Sequence, residues 1–257
     1  MTQSMIVCEQ KGAVARITLN DPQRGNALSR AGVKDLRAAL AQINSLERDA
    51  WAAAWMNVGE RHMARARELE KASPKESAEA YYHAFHNFST GRWPSEKLSP
   101  SKQKAYERGV ESFLAYAKFL TPKLEVVRIP FEGKEIVGYL RLPKAEGKKV
   151  PLVYFATALD SRKEEWAERN EDLLDEGIGI FVTDMPGTGQ APIKVDVNSE
   201  RMFSAALDYL SQRPEIDAKR LGFYGGSWSG YWAVKMSIVE RARLKAVVAQ
   251  GLPAHHY

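Results

Sequence analysis

The residues of this chain that most clearly suggest chemistry are Ser227 and its small neighbours. Residues 221–231 are typical of a buried strand, a tight Gly-Gly-Ser turn and the start of a helix. A serine on such a strained strand-to-helix turn projects its Oγ above the sheet, where it can attack a carbonyl carbon. The N-terminus of the following helix favours the negative charge that develops. We interpret the turn as a nucleophile elbow with Ser227 as the nucleophile.

The match to the usual Gly-x-Ser-x-Gly pattern is incomplete. Gly225 and Ser227 occupy the expected positions, whereas Ser229 stands where the second glycine belongs. A serine is small enough for that position. The alternative is a Gly- and Ser-rich loop without chemistry, but the flanking strand and helix favour the elbow.

Alternating strands and helices are predicted around this turn. Strands are expected at 150–156, 178–184, 220–225 and 245–250, with helices at about 162–176, 199–212 and 229–241. Such alternation requires crossovers and a parallel sheet. Upstream, residues 124–131 and 135–143 flank Glu132-Gly133-Lys134, which predicts an antiparallel hairpin. The fold class is therefore α/β with a mostly parallel sheet.

A Rossmann fold is the alternative. The segment Gly187-Thr188-Gly189 follows a strand, but Pro186 precedes it and no glycine opens a helix after it. The phosphate-binding fingerprint is therefore missing.

Residues 45–121 predict three amphipathic helices. Apolar and aromatic residues recur at spacings of three and four, with Ser73-Pro74 between the first two helices and Thr90 to Pro94 breaking the second. His83 and His86 have a helical spacing that suggests a metal site together with His62. Since no carboxylate or cysteine cluster completes such a site, aromatic packing is the favoured interpretation.

The N-terminal segment predicts a hairpin with a turn at residues 10–12, followed by a helix through Leu36 and Leu40. The intervening stretch Thr18-Leu19-Asn20 to Ala27-Leu28 resembles the opening loop of the crotonase (enoyl-CoA hydratase/isomerase) family. In that family the loop helps to hold CoA. The resemblance covers residues 5–43, and a structural appendage is the alternative.

Four motifs in the second half of the chain lie at residues 150–154, 159–166, 184–190 and 225–233. In this order they resemble the FrsA-like branch of the α/β-hydrolases, over about residues 45–257. The resemblance implies an α/β-hydrolase core preceded by a helical cap segment. It also implies a serine hydrolase that attacks an ester, or a carbon–carbon bond next to a carbonyl, through an acyl-enzyme.

The resemblance also implies roles for individual residues. Ser227 attacks, a histidine takes its proton, and an acid orients that histidine. The backbone amides of Trp228 and of the loop near Leu159 form the oxyanion hole. Side chains assigned to substrate binding are Asp160, Asp184 and Trp232. For Asp184 a role in shaping the wall of the site is the alternative, and for Asp160 a helix cap.

The later strands that carry the acid and the base in this fold are not found in the sequence. His255 and His256 are the only histidines near the predicted site. We therefore expect a core truncated after the sixth strand, with an unpaired edge and no turnover by the isolated chain. The predicted divisions are 1–44, 45–121 and 122–257, and a fragment, a fusion and a gene-model chimera all fit them. A crotonase-type acyl-CoA enzyme and a non-catalytic binding module remain alternative functions.

Composition limits the partners. The 257 residues include 44% hydrophobic residues and carry a net charge of +5 that is spread along the chain. Dispersed charge does not indicate a nucleic-acid or membrane partner. One cysteine, Cys8, excludes an internal disulfide framework. The sequence predicts a cytoplasmic protein that acts on a small-molecule carbonyl or ester substrate without a cofactor or metal, and a homodimer is compatible with it.

Overall fold

The computed structural model describes residues 6–11, 14–19, 30–42, 47–93, 99–145 and 147–251. It divides into two compact units, with the boundary near residues 112 and 113. The elements before this boundary form the helical unit, and those after it form the sheet unit. No helix within the described ranges is both long and apolar enough to cross a membrane.

The helical unit begins with an antiparallel hairpin, as predicted, and continues with helices. The hairpin pairs Ile6 with Leu19 and Lys11 with Val14. The elements are β1 (Ile6–Lys11), β2 (Val14–Leu19), α1 (Arg30–Leu40), α2 (Arg48–Leu69), α3 (Pro74–Arg92) and α4 (Pro100–Ala117), the last of which crosses the boundary between the units.

Helices α2 and α3 pack closely against each other. Helix α3 ends at Arg92, within the stretch from Thr90 to Pro94 where the break was predicted. Thr90 Oγ1 donates to the carbonyl of His86, 2.8 Å away, within the helix. Gly91 is buried where a Cβ would lie 3.3 Å from Cβ of Trp55. The glycine thus permits close approach of α2 instead of ending the helix.

The sheet unit is built on six strands in the order β3-β4-β6-β5-β7-β8. Strands β3, β4 and β6 pair antiparallel, and β5 pairs parallel with β6 and β7, as β7 does with β8. This confirms the predicted antiparallel entry into a parallel sheet. The elements are β3 (Leu124–Phe131), β4 (Lys134–Arg141), β5 (Val150–Ala156), α5 (Lys163–Ala167), α6 (Glu171–Asp175), β6 (Gly179–Thr183), α7 (Glu200–Gln212), β7 (Ile216–Gly226), α8 (Ser229–Val239) and β8 (Leu244–Gln250).

The single helix predicted at about 162–176 is two short helices, α5 and α6. Asn170 between them adopts the left-handed conformation, with φ of +66°. Its Nδ2 donates to the carbonyl of Trp166 at 3.3 Å. Asparagine tolerates this conformation better than most residues, and its left-handed backbone directly before α6 keeps the two helices from joining.

The core of the sheet unit lies between the sheet and helices α7 and α8. The central strands are buried along most of their length, as expected for parallel strands covered on both faces. Helix α7 presents an apolar face of residues spaced by three and four. These buried residues are Met202, Phe203, Ala206, Leu207 and Leu210.

Candidate active site

Ser227 lies at the turn that joins the carboxyl end of β7 to the start of α8. Its φ is +54°, a left-handed conformation that is unusual for a residue other than glycine. Two backbone hydrogen bonds hold it there. The amide of Ser227 donates to the carbonyl of Gln250 at 2.7 Å, and its carbonyl accepts from the amide of Gly230 at 2.9 Å. The exposed Ser227 thus has the strained backbone expected of a nucleophile elbow.

The small residue at position 225 is required by the tightness of the turn. A Cβ on Gly225 would lie 1.9 Å from the carbonyl oxygen of Ser229. No real side chain tolerates that distance to backbone. The first glycine of the motif therefore allows the start of α8 to pass against the end of β7.

Ser229, which replaces the second glycine of the motif, is fully buried. Its Oγ donates to the carbonyl of Thr157, just beyond the end of β5, and lies 3.5 Å from Sδ of Met185. The serine is therefore small enough for the turn and also links α8 to a neighbouring strand. Spacing along the sequence does not reveal this link, because the two residues are 72 positions apart.

Residues 157–161 follow β5 and form the loop predicted to supply the second oxyanion amide; we call them the oxyanion loop. The amide of Ala158 donates to Ser161 Oγ at 3.1 Å and is therefore already used. The carbonyl of Leu159 accepts from Arg162 at 3.0 Å. No described residue accepts a hydrogen bond from the amide of Leu159 or that of Trp228. Both amides are thus available for an oxyanion.

A family model for FrsA-like esterases matches residues 16–257. The chain belongs to the FrsA-like family. The match begins inside the segment that resembles crotonases, and the crotonase resemblance of residues 5–43 stays a prediction.

Two curated relatives illustrate the family match. Esterase FrsA of Vibrio parahaemolyticus is 27% identical over 216 residues, which are 80% of this chain and 49% of that protein. The alpha/beta hydrolase gkaG of Penicillium citrinum is 29% identical over 237 residues, 84% of this chain and 54% of that protein. The FrsA-like chain thus spans about half the length of the curated relatives it matches.

Solved structures agree with the fold. The 2,6-dihydroxy-pseudo-oxynicotine hydrolase has a TM-score of 0.71 at 24% identity, covering 84% of this chain and 60% of that one. AbyA5 has a TM-score of 0.69 at 24% identity, covering 91% and 62%. This likeness shows that the FrsA-like chain has the α/β-hydrolase fold, which excludes the Rossmann alternative.

Asp184, predicted to bind substrate, is buried in this FrsA-like chain with 1% of its surface exposed. Its carboxylate accepts the Nζ of Lys163 at 3.0 Å and the backbone amides of Lys163 and Gln190, each at 2.9 Å. Burial alone would raise the pKa of Asp184, but the charge of Lys163 and the amide donors outweigh burial and lower it. Asp184 is therefore a structural anchor between α5 and the turn at 187–190, in contrast to the predicted substrate contact.

Glu164 completes this buried cluster. Its Oε1 lies 2.8 Å from Lys163 Nζ and accepts the hydroxyl of Tyr139 at 2.9 Å. Burial lowers the pKa of Lys163, but the two neighbouring carboxylates raise it to above its ordinary value. Lys163 is thus charged and shared between Asp184 and Glu164. No motif in the sequence predicts these contacts, because Asp184 lies 21 positions from Lys163.

Trp232 also differs from its prediction. It is 1% exposed and packs against Phe203 in the core, with ring centroids 5.9 Å apart. A side chain so enclosed has no surface to offer a substrate. Its spacing on α8, five residues after Ser227, explains why the sequence suggested a place near the site.

Three predicted site residues are exposed, Trp228 directly after the nucleophile and Leu159 and Asp160 on the oxyanion loop. Asp160 lies at the exposed tip of the oxyanion loop, and its role in substrate binding stays a prediction. Trp228 is 45% exposed, as is Leu159. His255 and His256 lie outside the described residues.

The helical unit contains a polar cluster that the sequence did not predict. His62 Nε2 donates to the carboxylate of Asp35 at 2.8 Å, and Asn87 Nδ2 donates to the same carboxylate at 3.1 Å. The ring of His62 also packs against His83, with centroids 5.3 Å apart. Within the described ranges no group of three or more histidine, cysteine or acidic residues could hold a metal ion. The cluster therefore joins helices α1, α2 and α3.

Proposed function

We propose that this chain carries the nucleophile of a serine hydrolase of the FrsA-like group. Ser227 Oγ attacks the carbonyl carbon of a small-molecule ester, the bond to the alcohol breaks and the alcohol leaves with the proton that the base took from Oγ, and water then hydrolyses the acyl-enzyme to release the acid. The observation that carries the proposal is the left-handed backbone of Ser227 at the end of a parallel strand and the start of a helix. Such strain persists where the surrounding structure enforces it, and it is found at functional sites.

The proposed oxyanion hole uses the amides of Trp228 and Leu159. Both are free of protein acceptors among the described residues. Trp228 directly follows the nucleophile, and Leu159 lies on the loop after the neighbouring strand β5. Removing one such donor typically raises the barrier by about 2.7–4 kcal/mol. A carbon–carbon bond next to a carbonyl would be cleaved through the same first step.

The general base and its orienting acid are proposed to be a histidine and a carboxylate that approach Ser227 from outside the described residues. No described side chain forms a hydrogen bond with Ser227 Oγ. An oxyanion hole without a complete triad still accelerates attack about 10³–10⁴-fold over water. We therefore expect that the two oxyanion amides by themselves support slow acylation of Ser227. We also propose a cytoplasmic location for this protein. Formation of a homodimer stays a prediction.

A fluorophosphonate probe tests the proposal, because the serine oxygen displaces fluoride and forms one covalent bond to phosphorus, a step that the oxyanion hole accelerates. Intact-mass and peptide analysis should find a single label on Ser227 in the unmodified chain and no label in Ser227→Ala. Ser237→Ala is the matched control, since Ser237 lies on the same helix and its hydroxyl bonds only the carbonyl of Val234, at 2.7 Å. It should be labelled like the unmodified chain. An unlabelled chain, or equal labelling of Ser227→Ala, would contradict the proposal.

A further inference from the structure

We propose that Ser229 is a positioning residue that holds the oxyanion loop against helix α8. The proposal deepens the proposed function and rests on it for its kinetic consequence. Position 229 is where this chain departs from the Gly-x-Ser-x-Gly pattern, and the positioning role explains why a serine replaces the glycine there.

The contact that carries the proposal joins two fully buried residues. Ser229 Oγ donates to the carbonyl of Thr157, and both residues have no exposed surface. Ser229 is the first residue of α8, two positions after the nucleophile. Thr157 is the first residue of the oxyanion loop. The hydrogen bond therefore directly connects the two backbone segments that supply the oxyanion amides.

Thr157 is fixed from its other side by the end of β6. Its amide donates to the carbonyl of Thr183 at 3.1 Å, and its Oγ1 accepts from the amide of Met185 at 3.2 Å. Because the amide and Oγ1 of Thr157 bond residues at and just after the end of β6, it is the carbonyl of Thr157 that forms the hydrogen bond between the oxyanion loop and α8. The hydroxyl of Ser229 supplies the donor that this buried carbonyl needs.

The remainder of the oxyanion loop closes on itself. Ser161 Oγ accepts from the amide of Ala158 at 3.1 Å and from Trp166 Nε1 at 2.7 Å. This leaves Leu159 at the exposed tip of a loop anchored at both ends. Moving the anchor at Thr157 would shift the amide of Leu159 relative to that of Trp228.

A glycine at position 229 would satisfy the space requirement of the turn equally well. The close approach at Gly225 involves the backbone carbonyl of residue 229 and not its side chain. The hydroxyl is therefore not needed to build the elbow. Its added effect is on the alignment of the two amides, and electrostatic stabilisation of an oxyanion is steeply sensitive to such alignment.

Hydrogen exchange tests the positioning role without relying on activity. In Ser229→Ala and Ser229→Gly, the hydrogen-bonded amides of Thr157 and Ala158 should exchange at least tenfold faster than in the unmodified chain, while Ser229→Cys, a weaker donor, should fall between. Ser211→Ala is the matched control, because Ser211 Oγ bonds the carbonyl of Leu207 within α7 at 2.6 Å. It should leave this loop unchanged. Unchanged exchange in a folded Ser229→Ala variant would overturn the proposal.

Labelling kinetics with the fluorophosphonate probe test the catalytic consequence. The maximal labelling rate should fall at least tenfold in Ser229→Ala and Ser229→Gly, with unchanged half-saturating probe concentration and partial recovery in Ser229→Cys. An equal fall of the maximal labelling rate in all serine variants, including Ser211→Ala, would contradict a specific role of Ser229. Loss of the whole fold in Ser229→Gly would also overturn the proposal, since positioning leaves the fold intact. If the unmodified chain takes no label, the proposed function fails, whereas exchange still decides the role of Ser229.

Discussion

At the scale of single residues, the geometry of the candidate site depends on the space left at Gly225. Ser227 keeps its left-handed φ because β7 and α8 cross closely at this point. The crossing is possible only where no Cβ separates the two backbones. The elbow is thus a consequence of one absent side chain as much as of the serine itself.

Gly225→Ala should therefore destabilise the chain. The added Cβ meets backbone atoms, which cannot rotate away as a flexible side chain would, so we expect a loss of about 1–3 kcal/mol or more in the free energy of unfolding. Urea unfolding followed by circular dichroism measures it. The control is Gly109→Ala on α4, where a Cβ would lie 3.6 Å from Cβ of Phe88. It should be neutral or stabilising by about 0.5–1 kcal/mol, and equal stability of both variants would contradict the argument.

At the scale of elements, the attachment of α1 to the other helices depends on Asp35. The residue is 8% exposed and its carboxylate accepts hydrogen bonds from α2 and α3. Burial alone would raise the pKa of Asp35, but the hydrogen bonds from His62 and Asn87 and the charges of His62 and His83 lower it overall. The ionised carboxylate is therefore the form that binds α1 in place.

Asp35→Asn should lower stability at pH 7 by about 1.5–3 kcal/mol, the usual contribution of hydrogen bonds to a charged group. Because the folded pKa lies below the unfolded value of about 3.9, the stabilisation is present above that pH and is lost as the pH falls further. The difference between Asp35→Asn and the unmodified chain should hence shrink between pH 7 and pH 3. Urea unfolding at both pH values measures it.

The control for this prediction is Glu68→Gln. Glu68 pairs with Arg65 at 3.3 Å, and both side chains are well exposed, so the pair should contribute little. Its variant should track the unmodified chain at both pH values. A difference for Asp35→Asn that is constant with pH would show that the charge of Asp35 is not what attaches α1.

At the scale of the whole molecule, the described part of the chain exposes an apolar face on α8. Its members are large apolar side chains that are 41–65% exposed. They are Tyr231, Val234, Ile238 and Val239. Next to them, β8 forms one edge of the sheet and exposes Val248. An apolar face beside a strand edge favours association with other chains.

We therefore expect the 257-residue chain to self-associate in a concentration-dependent manner. Replacing Ile238 and Val239 with lysine should shift it towards the monomer in size-exclusion chromatography with light scattering. Val126→Lys is the control, because Val126 is 40% exposed on β3, at the opposite edge of the sheet from β8. It should leave the association unchanged. A monomer at all concentrations, or equal effects of both changes, would count against this role of the α8 face.

Much of the fold could be predicted from local patterns. The strand, turn and helix around Ser227 follow one another without interruption, so each boundary is set by neighbouring residues. The hairpin of β3 and β4 follows from a short turn between two alternating strands. One error arose between α5 and α6, where the left-handed backbone of Asn170, directly before α6, interrupts the single helix that was predicted.

The environment of the site could not be predicted in the same way. Asp184 and Trp232 lie at positions that suggest an active site, and only their burial shows that they serve packing and charge pairing. The identity and spacing of residues do not show whether a given side chain faces the core or the site.

The amino-acid sequence by itself determined the order of strands and helices, the position of the nucleophile turn and the family of the chain, because these depend on periodicity and on motifs within a few residues. Only the tertiary structure decided which distant groups meet. It joins Ser229 to Thr157, Asp184 to Lys163 and Asp35 to His62, at separations of 72, 21 and 27 residues. Such pairs form when folding brings separate elements together, and no local pattern records them.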